Sequence, residues 1–126
     1  MPRRVDEGTD ASNFIKVLSA LRARDINGIH QALILMHVAH EPGLTIQDYA
    51  DRTGSSQQVA SAHILELGPR KRNGSVGLGL IEIVLDPQNL RRHLVYLTSK
   101  GRTVVRSLQA MARIDWTDRG RPRQTD

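Results

Sequence analysis

Two adjacent arginines, Arg91 and Arg92, follow the turn-forming stretch Asp86-Pro87-Gln88-Asn89. The chain then continues through Leu94 and Tyr96 in a pattern that reads as a returning strand. A guanidinium pair at a hairpin tip packs no core. Its rigid fork of donors suits a polyanion. A second polar group, Ser55, Ser56, Gln57, Gln58 and Ser61, opens a helical stretch. A carboxamide can pair with N6 and N7 of adenine, and a hydroxyl with several base edges. A third group, Arg70, Lys71 and Arg72, lies in the glycine-rich run Gly68–Gly79, which reads as a loop. Phosphate attraction would come from this loop and from Arg91 and Arg92, because the helical stretch has no Lys or Arg of its own.

Each group also has a plainer reading. Ser55 and Gln58 have capping-box spacing, and Ser56 is an equally legal helix cap, so these residues could serve only to start a helix. Arg70–Arg72 could be a solvated loop, and Arg92 could point to solvent. The distribution of charge favours a partner. The net charge is +5 with a pI near 10.4. Between Leu67 and Arg113 there are nine Lys/Arg against two acids, and elsewhere nine against eleven. The positive field belongs to the second half of the chain.

Several chemistries find no support. Without cysteine there is no disulfide framework and no thiolate metal site. No apolar run approaches the ~18 residues of a membrane span. The opening "MPRRVDEGTDAS" is polar, which sets a cytoplasmic location as the expectation. His30, His37 and His40 fall on one apolar stretch, with His37 and His40 at a spacing that metals use, but no supporting acid-and-cysteine cluster accompanies them. The expectation is packed histidines, no metal and no cofactor. No nucleophile elbow, phosphate loop or carboxylate pair appears, so an enzyme is not expected. Trp116 and Tyr96 are too few for an aromatic ladder on single strands.

The elements that must position these residues follow from periodicity. Residues 1–12 and the basic stretch 116–126 read as disordered tails, and 13–115 as one domain. Asn13–Arg24 places Phe14, Val17, Leu18 and Leu21 on one helical face. Ile29–His40 is apolar almost all round and predicts a buried helix, stopped by Glu41-Pro42-Gly43. Thr45 and Asp48 form an Asp variant of the capping box for a third helix, with Leu44 and Tyr49 placed as a hydrophobic staple. Gly54 breaks it. The next helix turns Ala60, Ile64 and Leu67 inward, with His63 beside them. Leu80–Leu85 and Arg92–Leu97 predict the strands of a hairpin. Thr98 caps a last helix carrying Val104, Val105, Leu108, Met111 and Ile114. The order is α-α-α-α-β-β-α, mainly α with a small β-hairpin, an α+β winged helix-turn-helix.

At this point the residues resemble a known family. Leu44-Thr45, Gly54, Gly79-Leu80-Ile81-Glu82, Asp86-Pro87, Arg91-Arg92 and Leu97-Thr98-Ser99-Lys100-Gly101 look like the DNA-binding core of the MarR-type transcriptional regulators, over residues 30 to 110. In this sequence Asn89 stands where the family commonly has an aspartate bracing a wing arginine. Leu90 replaces one of the usual arginines, and the loop before the wing is longer. The resemblance implies a sequence-specific regulator that binds double-stranded DNA. Its recognition helix would enter the major groove, and its arginine wing would lie on phosphates or in the minor groove. It also implies a homodimer, with room for a small-molecule inducer between the dimer region and the DNA-binding lobe. The apolar residues Phe14, Val17, Leu21, Val104, Leu108 and Met111 are the expected pairing surface. The other function class is a winged-helix module for protein–protein contact without specific DNA binding.

Overall fold

The computed structural model describes residues 2–26, 28–69 and 74–112, and the side chains among them from Ala11 onward. Its elements are α1 (Pro2–Ala23), α2 (Ile29–His40), β1 (Leu44–Thr45), α3 (Ile46–Thr53), α4 (Gln57–Leu67), β2 (Ile81–Asp86), β3 (Asn89–Leu97) and α5 (Ser99–Ala112). The expected order is met, with one short strand added. The sheet order is β1-β3-β2, antiparallel throughout, with Leu44 opposite Val95 and Thr45 opposite Leu94.

The first helix begins earlier than the sequence predicts. Residues 2–12, expected as a disordered tail, continue α1 back to Pro2. Proline is tolerated at a first helical position because its missing N–H has no intrahelical partner. Once a helix is nucleated, each further residue adds one hydrogen bond. The expected tail at 116–126 and Ile114 lie outside the described residues.

The core gathers around α2, α3 and α4 and the sheet. Ile34, Leu35, Val38, Tyr49, Ile64 and Val95 are fully buried. Although α2 reads as apolar all round, it is not buried all round, since Ile29 and Leu33 on its outer side are exposed. Tyr49 binds the layers together by its hydroxyl, which donates to the Glu41 carbonyl at 2.6 Å and accepts from the Leu44 N–H at 3.2 Å. Burial pushes the Tyr49 hydroxyl pKa above the usual phenol range.

Four of the six residues of the expected pairing surface belong to the core or pack against it. Val104 and Leu108 on α5 are buried within this chain. Val17 and Leu21 on α1 pack against the same core. What α1 leaves in the open is Phe14, Ile15 and Leu18, at 64%, 62% and 51% exposure. Periodicity located the apolar face of each helix but not which partner covers it.

The Leu97-Thr98-Ser99-Lys100-Gly101 stretch is a junction. The Thr98 hydroxyl donates to the Gly79 carbonyl at 2.7 Å and accepts from the Gly101 N–H at 3.0 Å, capping α5. The Thr98 N–H donates to the Leu80 carbonyl. A Cβ on Gly101 would land on that same carbonyl, so only glycine lets α5 start this close to β2. The long segment Gly68–Gly79 is closed at its base. Leu80, Gly79, Leu78 and Gly77 donate their N–H groups to Leu67, Gly68, Glu66 and Pro69, the Leu80 to Leu67 bond being 2.7 Å. No helix among the described residues is long and apolar enough to cross a membrane.

Candidate nucleic-acid interface

The helix pair starts with a cap. The Thr45 hydroxyl accepts from the Asp48 N–H at 3.2 Å, and the Asp48 carboxylate accepts from the Thr45 N–H at 3.0 Å and from its hydroxyl at 2.9 Å. These bonds from Thr45 hold the Asp48 carboxyl below the ordinary aspartate range. Gly54 ends α3 in the left-handed region, φ 70°, which needs no Cβ clearance. The Ser55 N–H returns to the Ala50 carbonyl at 2.9 Å, so the chain re-enters helix after a tight turn. Arg52 on α3 pairs with Glu41 at the end of α2, 2.9 Å apart. That hydrogen bond lowers the Glu41 pKa and raises that of Arg52.

The serines of the predicted reading cluster are largely committed to this turn. Ser56 is the helix cap, its hydroxyl accepting from the Val59 N–H at 3.1 Å. The Ser55 hydroxyl lies 3.0 Å from that of Thr53. Of the two caps that the sequence left open, Ser56 is the one used. Ser61 is half-buried, while Gln57 and Gln58 are exposed on the first turn of α4. Beside them Val59 and Ala62 also face outward. Ala60, Ile64 and Leu67 point into the core, as their spacing predicts.

The wing carries the arginines on an irregular tip. Residues from Ile81 to Leu85 pair in step with Leu97 to His93, and then the register shifts, Asp86 pairing with Asn89. Leu90, Arg91 and Arg92 are left over on β3, a bulge that re-aims their side chains. Arg92 reaches back to Asp86, 3.7 Å between Nη1 and Oδ2. Asp86 thus braces an arginine, a role the sequence pattern suggested for position 89. Asn89 instead accepts the Arg91 N–H at 3.1 Å and shapes the backbone. The Arg91 side chain is exposed and makes no ion pair or hydrogen bond among the described residues. Arg70, Lys71 and Arg72 lie outside the described residues.

The histidines do not converge on a metal. No group of three or more His, Cys, Asp or Glu side chains among the described residues could hold one. His30 on α2 instead stacks on His63 of α4, ring centroids 5.8 Å apart. A separate cleft of about 430 Å³ opens between the end of α2, the base of the sheet and α5, lined by Val38, Pro42, Tyr96, Arg102, Arg106 and Gln109. Arg102 is fixed there by donating to the Leu97 carbonyl and the Ser99 hydroxyl, both at 3.1 Å.

A capped helix pair with an exposed second helix, followed by a hairpin with arginines at its tip, defines a winged helix-turn-helix protein. Its fold is that of the MarR-type regulators. The PcaV transcriptional regulator of Streptomyces coelicolor, solved with its natural ligand, is 25% identical over 87% of this chain and 68% of its own, TM-score 0.56. The MepR–DNA complex of S. aureus aligns at 22% identity over 86% and 79%, TM-score 0.66. A MarR-family regulator of Silicibacter pomeroyi aligns at 22% over 96% and 74%, TM-score 0.59. No protein-family model and no curated protein matches the sequence.

Proposed function

We propose that this protein is a transcriptional regulator that binds double-stranded DNA as a homodimer, α4 entering the major groove and the β2–β3 wing lying along the backbone. The carrying observation is the pairing of an α4 that has no Lys or Arg and exposes Gln57 and Gln58 on its first turn with an exposed Arg91 on the wing bulge. Such a division separates reading contacts from positioning contacts. Gln57 and Gln58 are the base readers, Arg91 contacts phosphate, and Arg70, Lys71 and Arg72 add to the attraction. Ser55 and Ser56 support the helix start, and the half-buried Ser61 lies a turn further on, beside the readers. Arg92, paired with Asp86 at 3.7 Å, contributes less.

Dimerisation is supported by the uncovered Phe14, Ile15 and Leu18 of α1, an apolar strip that a second copy would remove from water. The cleft lined by Arg102 and Arg106 suits a small anionic inducer, consistent with a neighbour solved with its ligand.

The deciding experiment is anisotropy on a random-sequence duplex at roughly 50 and 200 mM salt, across which phosphate-binding proteins lose orders of magnitude in affinity. A steep loss, together with enrichment of particular sequences from a random pool, is the expected outcome. Absence of duplex binding at the lower salt would move the assignment to a protein-interaction module.

A further inference from the structure

The reading face of α4 is half aliphatic. Val59 is 43% exposed, and Ala62, three residues on, is exposed beside it. Residues three and four apart share a helix face, so Gln58, Val59 and Ala62 form one outward patch. Nothing among the described residues uses it. The core stripe is Ala60, Ile64 and Leu67, and no side-chain hydrogen bond engages Gln57 or Gln58 among the described residues. The hydroxyls of Ser55 and Ser56 are spent within the turn. What remains exposed at the start of α4 to meet base edges is two carboxamides and two small apolar side chains, with no charge, and the half-buried Ser61 beside them.

Each of those groups favours one kind of base pair. A carboxamide pairs bidentately with adenine, and a small apolar side chain packs on the thymine C5-methyl group. Guanine is read best by Arg or Lys, and α4 has neither. We infer that Val59 and Ala62 are specificity-determining residues that read thymine methyl groups, so that the half-site core is built of A·T pairs recognised jointly with Gln57 and Gln58. This rests on the proposed DNA binding.

The test uses the full chain and duplexes enriched from a random pool. Each thymine of the enriched half-site is replaced in turn by deoxyuridine, which keeps every hydrogen-bonding edge and removes only the methyl group. Binding should weaken about fourfold at one or two positions, the factor that follows from re-exposing one methyl-sized group. In Val59→Ala the penalty at one of those positions should shrink, and the preference for the enriched duplex over random duplex should fall with it. Ala62→Gly is the weaker variant because it also loosens the helix. Ala62→Ser keeps the size and should lower the penalty at the neighbouring position. Enriched sites whose deoxyuridine versions bind equally well, or penalties undiminished at every position in Val59→Ala, would overturn the methyl-reading assignment while leaving DNA binding intact. Failure to enrich any duplex would instead remove the DNA-binding reading beneath it.

Discussion

The two wing arginines are neighbours in sequence and opposites in circumstance. Arg92 is held 3.7 Å from Asp86, whose other carboxylate oxygen accepts the Gln88 N–H at 2.9 Å. An exposed pair of this kind contributes at most about 1 kcal/mol to stability, so its main effect is to lower the charge the wing offers. Arg91 keeps its whole charge. Arg91→Ala should weaken binding to all duplexes alike and flatten the log–log salt slope by about 0.9 per subunit, one released counterion. Arg92→Ala should move the slope less. Asp86→Asn should steepen it, because Arg92 is released. Titrations across a salt series with each variant check all three, and equal slopes throughout would take the wing out of the mechanism. Neither the brace nor the bulge was legible in the sequence. Both depend on where β3 slips past β2, which no local spacing encodes.

The elements were more readable where their chemistry is local. Thr45 with Asp48, Gly54, and Thr98 with Gly101 are turn and cap signals a few residues long, and each acts as its spacing predicts. The Asp48 cap has a pH signature. Its native pKa is depressed, so its stabilisation is full above the unfolded value of about 3.9 and is lost as pH falls through the lower native value. Asp48→Asn should cost on the order of 1 kcal/mol near neutrality and lose less than the wild type on acidification below pH ~4. Urea midpoints at neutral and acid pH measure both. Gly101→Ala should lower the melting temperature and cost about 1–3 kcal/mol, since the methyl group collides with the Leu80 carbonyl rather than with a side chain that can move. Non-local features escaped notice. β1 is two residues long and exists only through its pairing with β3. Helix α4 revealed its inward stripe in sequence, but no local signal marked Val59 as an outward residue.

At the scale of the whole molecule, the apolar residues divide between a finished core and an unfinished one. Leu108 belongs to the first and Phe14 and Leu18 to the second. The proposed dimer therefore separates two substitutions that periodicity alone would treat alike. Phe14→Asp or Leu18→Asp should give a folded monomer by analytical ultracentrifugation with weakened operator binding, because two half-sites no longer act together. Leu108→Asp should unfold the chain instead, by placing an unpaired charge in the core. A wild-type protein that sediments as a monomer at tens of micromolar would remove the dimer. The clasp that joins Glu66–Pro69 to Gly77–Leu80 has a further consequence. It fixes the step from α4 to β2 whatever the chain does in between, and lengthening a closed excursion costs only about 0.6 kcal/mol per doubling. Residues 70–73, with their three positive charges, can therefore be gained, lost or traded over evolutionary time without disturbing either neighbour. Such a layout allows general stickiness for nucleic acid and choice of target to drift independently, and a lineage could retune one without relearning the other.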